Sequence, residues 1–211
     1  MTPSQDHRWP PSCFHRDGDL FIPSPLARSP WDGNAIAGGP ISGLLATAVE
    51  DLVPRDGFEI ARYSLDILGK VPRQPLTARA TALREGRQMR LHLVELLADG
   101  RPVAQVTVLL VRQTGTPRTP APHDYPAPED VPVAEWIPRA SMKGSIRMRP
   151  IRGVSGVPGR GTGWLAMECE IIAGETPSNF VKAAYLADYG GGIGCAEDAG
   201  RLVRAGADKV V

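Results

Sequence analysis

The chain has 211 residues, 42% hydrophobic and 22% charged, with a formal net charge of +1. That length holds one large domain or two small ones, and the near-zero charge argues against nucleic acid or an anionic membrane surface as a partner. The three cysteines, Cys13, Cys169 and Cys195, are odd in number and far apart. That usage argues against a disulfide framework or a zinc site and makes a reducing cytoplasm the expected location. Residues 1–11 are polar and proline-rich, without the basic-then-apolar layout of a signal peptide. Apolar runs such as 103–111 fall short of the roughly 20 residues that span a bilayer.

The first element is a helix. Ile41, Leu44, Leu45, Ala48, Val49 and Leu52 fall on one helical face. Pro40 suits the first turn, where a missing N–H costs nothing, and Pro54 stops the helix. Four strands are expected after it. Ala61, Tyr63, Leu65 and Ile67 alternate with polar residues in the first. Leu76, Ala78, Ala80 and Ala82 do so in the second. Met89, Leu91 and Leu93 flank Arg90 and His92 in the third. The fourth, 103–111, is apolar on both faces and therefore central. Turn signals at Val71-Pro72, Glu85-Gly86 and Asp99-Gly100 imply antiparallel pairing, and an earlier strand is expected near 20–22. The helix must bury its stripe, and the apolar face of this sheet is the available partner. A sheet wrapped around one central helix is the hotdog arrangement, an α+β fold.

Residues 114–132 carry six prolines, from Pro117 to Pro132, and read as a linker. The second half repeats the opening. Residues 164–172 are strand-like. Thr176 is a good N-cap and Pro177 suits the first helical position. Phe180, Val181, Ala184 and Leu186 continue a short helix toward Asp188.

These pieces carry a resemblance. Ser29-Pro30-Trp31-Asp32-Gly33-Asn34, continuing through Gly38-Gly39-Pro40 to Glu50, resembles the start of the central helix in acyl-CoA thioesterase-like double-hotdog proteins. So do Ser64-Leu65-Asp66-Ile67-Leu68-Gly69-Lys70-Val71-Pro72 and Leu83-Arg84-Glu85-Gly86-Arg87. In the second half Gly163-Trp164-Leu165, Gly174-Glu175-Thr176-Pro177-Ser178 and Ala187-Asp188-Tyr189-Gly190 continue it, in order, over roughly residues 18 to 194. The resemblance implies a double hotdog. Its expected units are an N-terminal hotdog (1–113), the linker (114–132) and a second, incomplete hotdog with an atypical tail (133–211).

Gly38 and Gly39 are candidate substrate-binding residues. Glycines admit a close ligand, and first-turn N–H groups point outward with partial positive charge. That suits a thioester oxygen gaining negative charge. The alternative is a tight turn before a helix. Asp188 is the candidate catalytic residue. It follows Ala184 by four and Val181 by seven, which places it on the apolar helix face, at the end where the dipole disfavours a carboxylate. A half-buried, electrostatically misplaced acid is a functional candidate, against the alternative of a solvated Asp at a helix end. In the thioesterases that the chain resembles, the matching Asp helps activate the attacking water.

Other side chains carry less. His92 is expected at a surface or rim position, and Cys169 in the core of a strand. Ser155 lies in Gly153-Val154-Ser155-Gly156-Val157, which is not a nucleophile elbow. Gly159-Arg160-Gly161-Thr162-Gly163 precedes a strand and lacks the Gly-Lys-Ser/Thr ending of a phosphate loop. The last 22 or so residues resemble a phosphate-binding segment of the imidazole glycerol phosphate synthase cyclase barrel. A recombined or frameshifted reading frame and coincidence are both open, and either way most of the second sheet is expected to be missing.

The expected activity is hydrolysis of acyl-CoA thioesters to free acid and CoA, in fatty acid metabolism. Acyl-CoA is the implied partner, homo-oligomers are possible, and no metal or other cofactor is implied. The alternatives are a non-catalytic acyl-CoA-binding hotdog and, last, an enoyl-CoA hydratase, whose usual His/Asp helix motif is absent from residues 38–50.

Overall fold

The computed structural model describes residues 11–115, 124–134, 144–153 and 159–190. An antiparallel hairpin opens it, β1 (Ser12–Asp17) and β2 (Leu20–Pro23), turning at Gly18. Helix α1 (Gly38–Leu52) follows, with Pro40 in its first turn as its fixed φ and missing donor suggest. Then come β3 (Phe58–Ile67), β4 (Thr77–Glu85), β5 (Met89–Ala98) and β6 (Arg101–Arg112). The second half supplies β7 (Ile146–Arg152), β8 (Thr162–Met167), β9 (Glu170–Ile172) and helix α2 (Asn179–Ala187).

The four expected strands form one antiparallel sheet in the order β3-β6-β5-β4. The doubly apolar β6 lies inside it, between β3 and β5, with one face buried and the other partly covered. Its Ala104, Val106, Val108 and Leu110 are fully buried. They join Leu44, Leu45, Ala48 and Val49 of α1 in one core, each large side chain contributing about 1.5–3 kcal/mol by burial. Asp99 and Gly100 both adopt positive φ in the β5–β6 turn, the conformation Asp-Gly supplies best in a two-residue hairpin.

The expected inward faces needed correction at two strands. A bulge at Ala61 interrupts the β3–β6 register. Phe58 and Ile60 therefore face inward before it, Tyr63 and Leu65 after it, and Ala61 is exposed. Inserting one residue flips side-chain parity. In β5 the longer run Val94, Leu96 and Ala98 sets the inward face. His92 shares their parity and is buried, not at the rim.

In the second half the stretch 164–172 is two strands, β8 and β9, broken at Glu168 and Cys169. Cys169 is buried as expected, yet outside a strand. Strand β9 leaves the β7–β8 hairpin and pairs in parallel with β1, so the N-terminal hairpin is joined to the second half. The N-cap of α2 is Ser178, not Thr176: its Oγ accepts from Val181 N–H. Pro177 consequently lies outside the helix. Ser155, Cys195, His7, His123 and the cyclase-like tail lie outside the described residues. No helix among those described is long and apolar enough to cross a membrane.

Candidate functional site

The two helices run antiparallel with their ends matched. Ser178, at the start of α2, donates to Glu50 Oε1 near the end of α1 at 3.0 Å. At the other end Asp188, which caps α2, lies against Gly38 and Gly39 in the first turn of α1.

The approach there is close. A Cβ at residue 38 would lie 2.5 Å from Asp188 Oδ1 and 3.0 Å from Oδ2. At residue 39 it would lie 2.9 Å from both Cε2 and Oη of Tyr189. At Gly43 it would overlap the Ile171 Cδ1 methyl. Gly38 and Gly39 are helical, so their value here is spatial: they let α2 reach the α1 backbone. Pro40 has no N–H, which leaves Gly38 and Gly39 as the outward donors of the first turn.

The Gly39 N–H is directed to the Asp188 carboxylate. The misplacement at the C-terminus of α2 is thus offset by the N-terminus of α1, whose dipole favours an anion. The carboxyl nevertheless titrates above the usual carboxylate range. Partial burial among the two helix ends raises it, and the Gly39 hydrogen bond only partly counters that. Asp188 as a whole is nevertheless exposed to solvent. The arrangement is a carboxylate that accepts a proton more readily than an ordinary Asp, held at a positive helix end and reachable by water.

Several residues around it were not singled out from the sequence. Tyr185 is fully buried and Tyr189 nearly so, and the Tyr189 hydroxyl donates to that of Tyr185 at 3.1 Å. Burial raises both phenols, so both stay protonated. The Ser42 hydroxyl donates to the Ala184 carbonyl of α2 at 2.8 Å. The i, i+4 spacing of Tyr185 and Tyr189, and of Gly38 and Ser42, was the available signal.

The other polar features lie elsewhere. A shallow groove at the opposite end of the helix pair is lined by Thr47, Glu50, Asp51, Glu175 and Ser178. Arg16 bridges Asp51 and Glu175 there, each at 2.9 Å. Acidic walls suit a phosphate-bearing ligand poorly. His92 is far along the sheet, 3.3 Å from Glu85. No group of three or more His, Cys, Asp or Glu among the described residues is arranged to hold a metal.

The fold itself has known counterparts. Residues 27–111, from before α1 to near the end of β6, match the family model of the acyl-CoA thioesterase N-terminal domain. No curated protein matches the sequence. A hotdog-fold protein of unknown function from Alicyclobacillus acidocaldarius is similar in structure, with TM-score 0.62 and 18% identity over 83% of this chain and 66% of that one. A candidate thioesterase from Novosphingobium aromaticivorans DSM 12444 gives TM-score 0.61 and 25% identity over 84% and 71%. The tesB protein of Mycobacterium avium subs paratuberculosis gives 0.55 and 22% over 85% and 65%. The chain thus spans about two thirds of the length of these neighbours. The fold is a hotdog, and residues 27–111 are similar to the acyl-CoA thioesterase N-terminal domain.

Proposed function

We propose that the chain hydrolyses acyl-CoA thioesters to a free acid and CoA, with Asp188 as the base that activates water. The observation that carries the reading is the Asp188 carboxylate held over Gly38 and Gly39 at the N-terminus of α1. Water beside the exposed Asp188 gives up a proton to the carboxylate as its oxygen attacks the thioester carbon. The C–S bond then breaks, and CoA leaves as a thiolate that takes a proton from solvent or from Asp188. A thiolate leaves readily, so the described side chains need supply no strong acid.

Electrostatics support the same assignment. During attack, negative charge moves from the Asp188 carboxylate to the carbonyl oxygen. The Asp188 carboxylate lies at the positive end of α1, and a thioester oxygen bound beside it would share the same favourable field. Gly38 supplies the remaining first-turn N–H. A raised pKa brings Asp188 nearer the range where proton transfer is efficient. A cytoplasmic location, a role in fatty acid metabolism and assembly into homo-oligomers fit this reading.

A second reading is a non-catalytic acyl-CoA-binding protein. It is favoured by one detail: the Gly39 donor is already engaged by Asp188 and so is not open to a substrate oxygen. Thiol release from a panel of acyl-CoAs separates the two. Hydrolysis is expected, with Asp188→Asn lowering turnover about 100-fold or more, the scale of a lost general base, at little change in KM. Unchanged turnover in Asp188→Asn would remove the base assignment. Saturable binding without any thiol release from the parent chain would establish the second reading.

A further inference from the structure

We propose that Ser42 is a positioning residue, whose hydroxyl sets where α2 ends and thereby where the Asp188 carboxylate sits. The inference rests on the catalytic reading of Asp188 and adds the residue that holds it in place.

Three observations converge on Ser42. It lies one turn beyond Gly38 on α1 and is buried, 4% exposed, within the helix–helix contact. Its hydroxyl donates to the Ala184 carbonyl at 2.8 Å. In an uninterrupted helix that carbonyl would take the N–H of the residue four further on, which is Asp188. Here the Asp188 N–H is directed at Leu186 O, as is the Tyr189 N–H. The regular ladder stops one bond short, and the Ser42 hydroxyl stands at the acceptor it would have used. A helix-ending device of this kind is usually supplied by a local glycine or side chain; this one comes from a residue 142 positions away in sequence.

Ser42 is itself held. Its carbonyl accepts from the Tyr63 hydroxyl of β3 at 2.8 Å. The Tyr63 ring meets Phe180 of α2 edge-on, centroids 5.5 Å apart. Burial pushes the Tyr63 phenol up to about 12, so it remains a donor throughout the working range. The Ser42 backbone is thus tied to the sheet and its side chain to the last turn of α2. Without the hydroxyl, the Ala184 carbonyl can recruit the Asp188 N–H and extend the helix. Asp188 would then be rotated away from Gly38 and Gly39.

The direct test is the titration of Asp188, followed by carbon NMR of labelled aspartate and assigned by its loss in Asp188→Asn. Among the described residues the titratable group that interacts with Asp188 is Tyr189 of its own segment, which is hydrogen-bonded in turn to Tyr185. Both are held neutral by burial, and α1 contributes only backbone N–H groups. In Ser42→Ala, or in the near-isosteric Ser42→Cys if the alanine variant does not fold, the carboxyl should titrate lower. Burial is the larger influence on it and would be relieved. Turnover should drop about tenfold or more with KM within about twofold, as misplacing a reacting group does. Tyr63→Phe removes a buried hydrogen bond from the same junction without touching the end of α2, and should leave the Asp188 midpoint in place. An unchanged Asp188 midpoint in a folded Ser42 variant overturns the proposal, as does an equal shift in Tyr63→Phe. If Asp188→Asn proves fully active, the catalytic reading falls, and the titration still decides whether Ser42 places the carboxylate.

Discussion

Substituting Gly38 by alanine tests whether the α1–α2 contact serves chemistry or merely packing. The backbone is helical, so alanine is conformationally welcome and should contribute about 0.4–1 kcal/mol by restricting the unfolded chain. Against that, the new methyl would sit 2.5 Å from Asp188 Oδ1, where ordinary contact begins at 3.4 Å. The carboxylate must therefore retreat by about 0.9 Å. It can do so cheaply, because it is the end of a short side chain on an exposed residue. Net stability should change by less than about 1 kcal/mol. Activity should not be spared, since a displacement near 1 Å costs on the order of 100-fold in rate. The assay is thiol release from acyl-CoA beside matched melting curves. Gly38→Ala should melt near the parent temperature and turn over about 100-fold more slowly, and combining it with Asp188→Asn should add little, because both remove the same positioned carboxylate. A folded Gly38→Ala protein with parental turnover would refute the argument that the carboxylate's place over α1 matters.

The remaining predictions concern stability and assembly. Gly43→Ala places a methyl on the Ile171 Cδ1 atom and should cost about 1–3 kcal/mol by overpacking; Ile171→Val, which removes that atom, should recover part of the loss in thermal melts. Asp188 has its native pKa raised above the unfolded value, so its contribution is favourable below the unfolded pKa and is lost as pH rises through the native one. Asp188→Asn should accordingly melt higher than the parent at neutral pH, with the gain vanishing in acid; a lower melting temperature at neutral pH would contradict that sign. Ser178→Ala loses the N-cap bond to Val181 and the link to Glu50, a cost of about 1–2 kcal/mol, measurable by denaturant titration. Ile67 and Leu68 are 48% and 52% exposed at the end of the edge strand β3, a surface that invites pairing; sedimentation should show association rising with concentration, and Ile67→Lys should reduce it.

Much of the first half could be read from the sequence because its signals are local. The stripe from Ile41 to Leu52 and the flanking prolines marked α1. The doubly apolar run of β6 marked the interior strand, and Asp99-Gly100 marked a turn. Asp188 was legible as an acid at the end of an apolar helical face, an odd position that local pattern alone reveals. What that acid meets was not legible. Its partner, the α1 N-terminus, is 150 residues earlier in the chain, and whether a helix dipole opposes or favours a carboxylate depends on which helix end faces it. The parity of β3 and β5 was also decided in three dimensions. A one-residue bulge at Ala61 reverses every later side chain, and His92 is drawn inward by the burial of Val94, Leu96 and Ala98 beyond it. Ser178, not Thr176, caps α2, its Oγ accepting from Val181 N–H while donating to Glu50 of α1. The parallel pairing of β1 with β9 has no sequence signature at all. Propensity and periodicity act over a few residues, whereas the contacts that assemble this site join segments brought together only when the two helices pack.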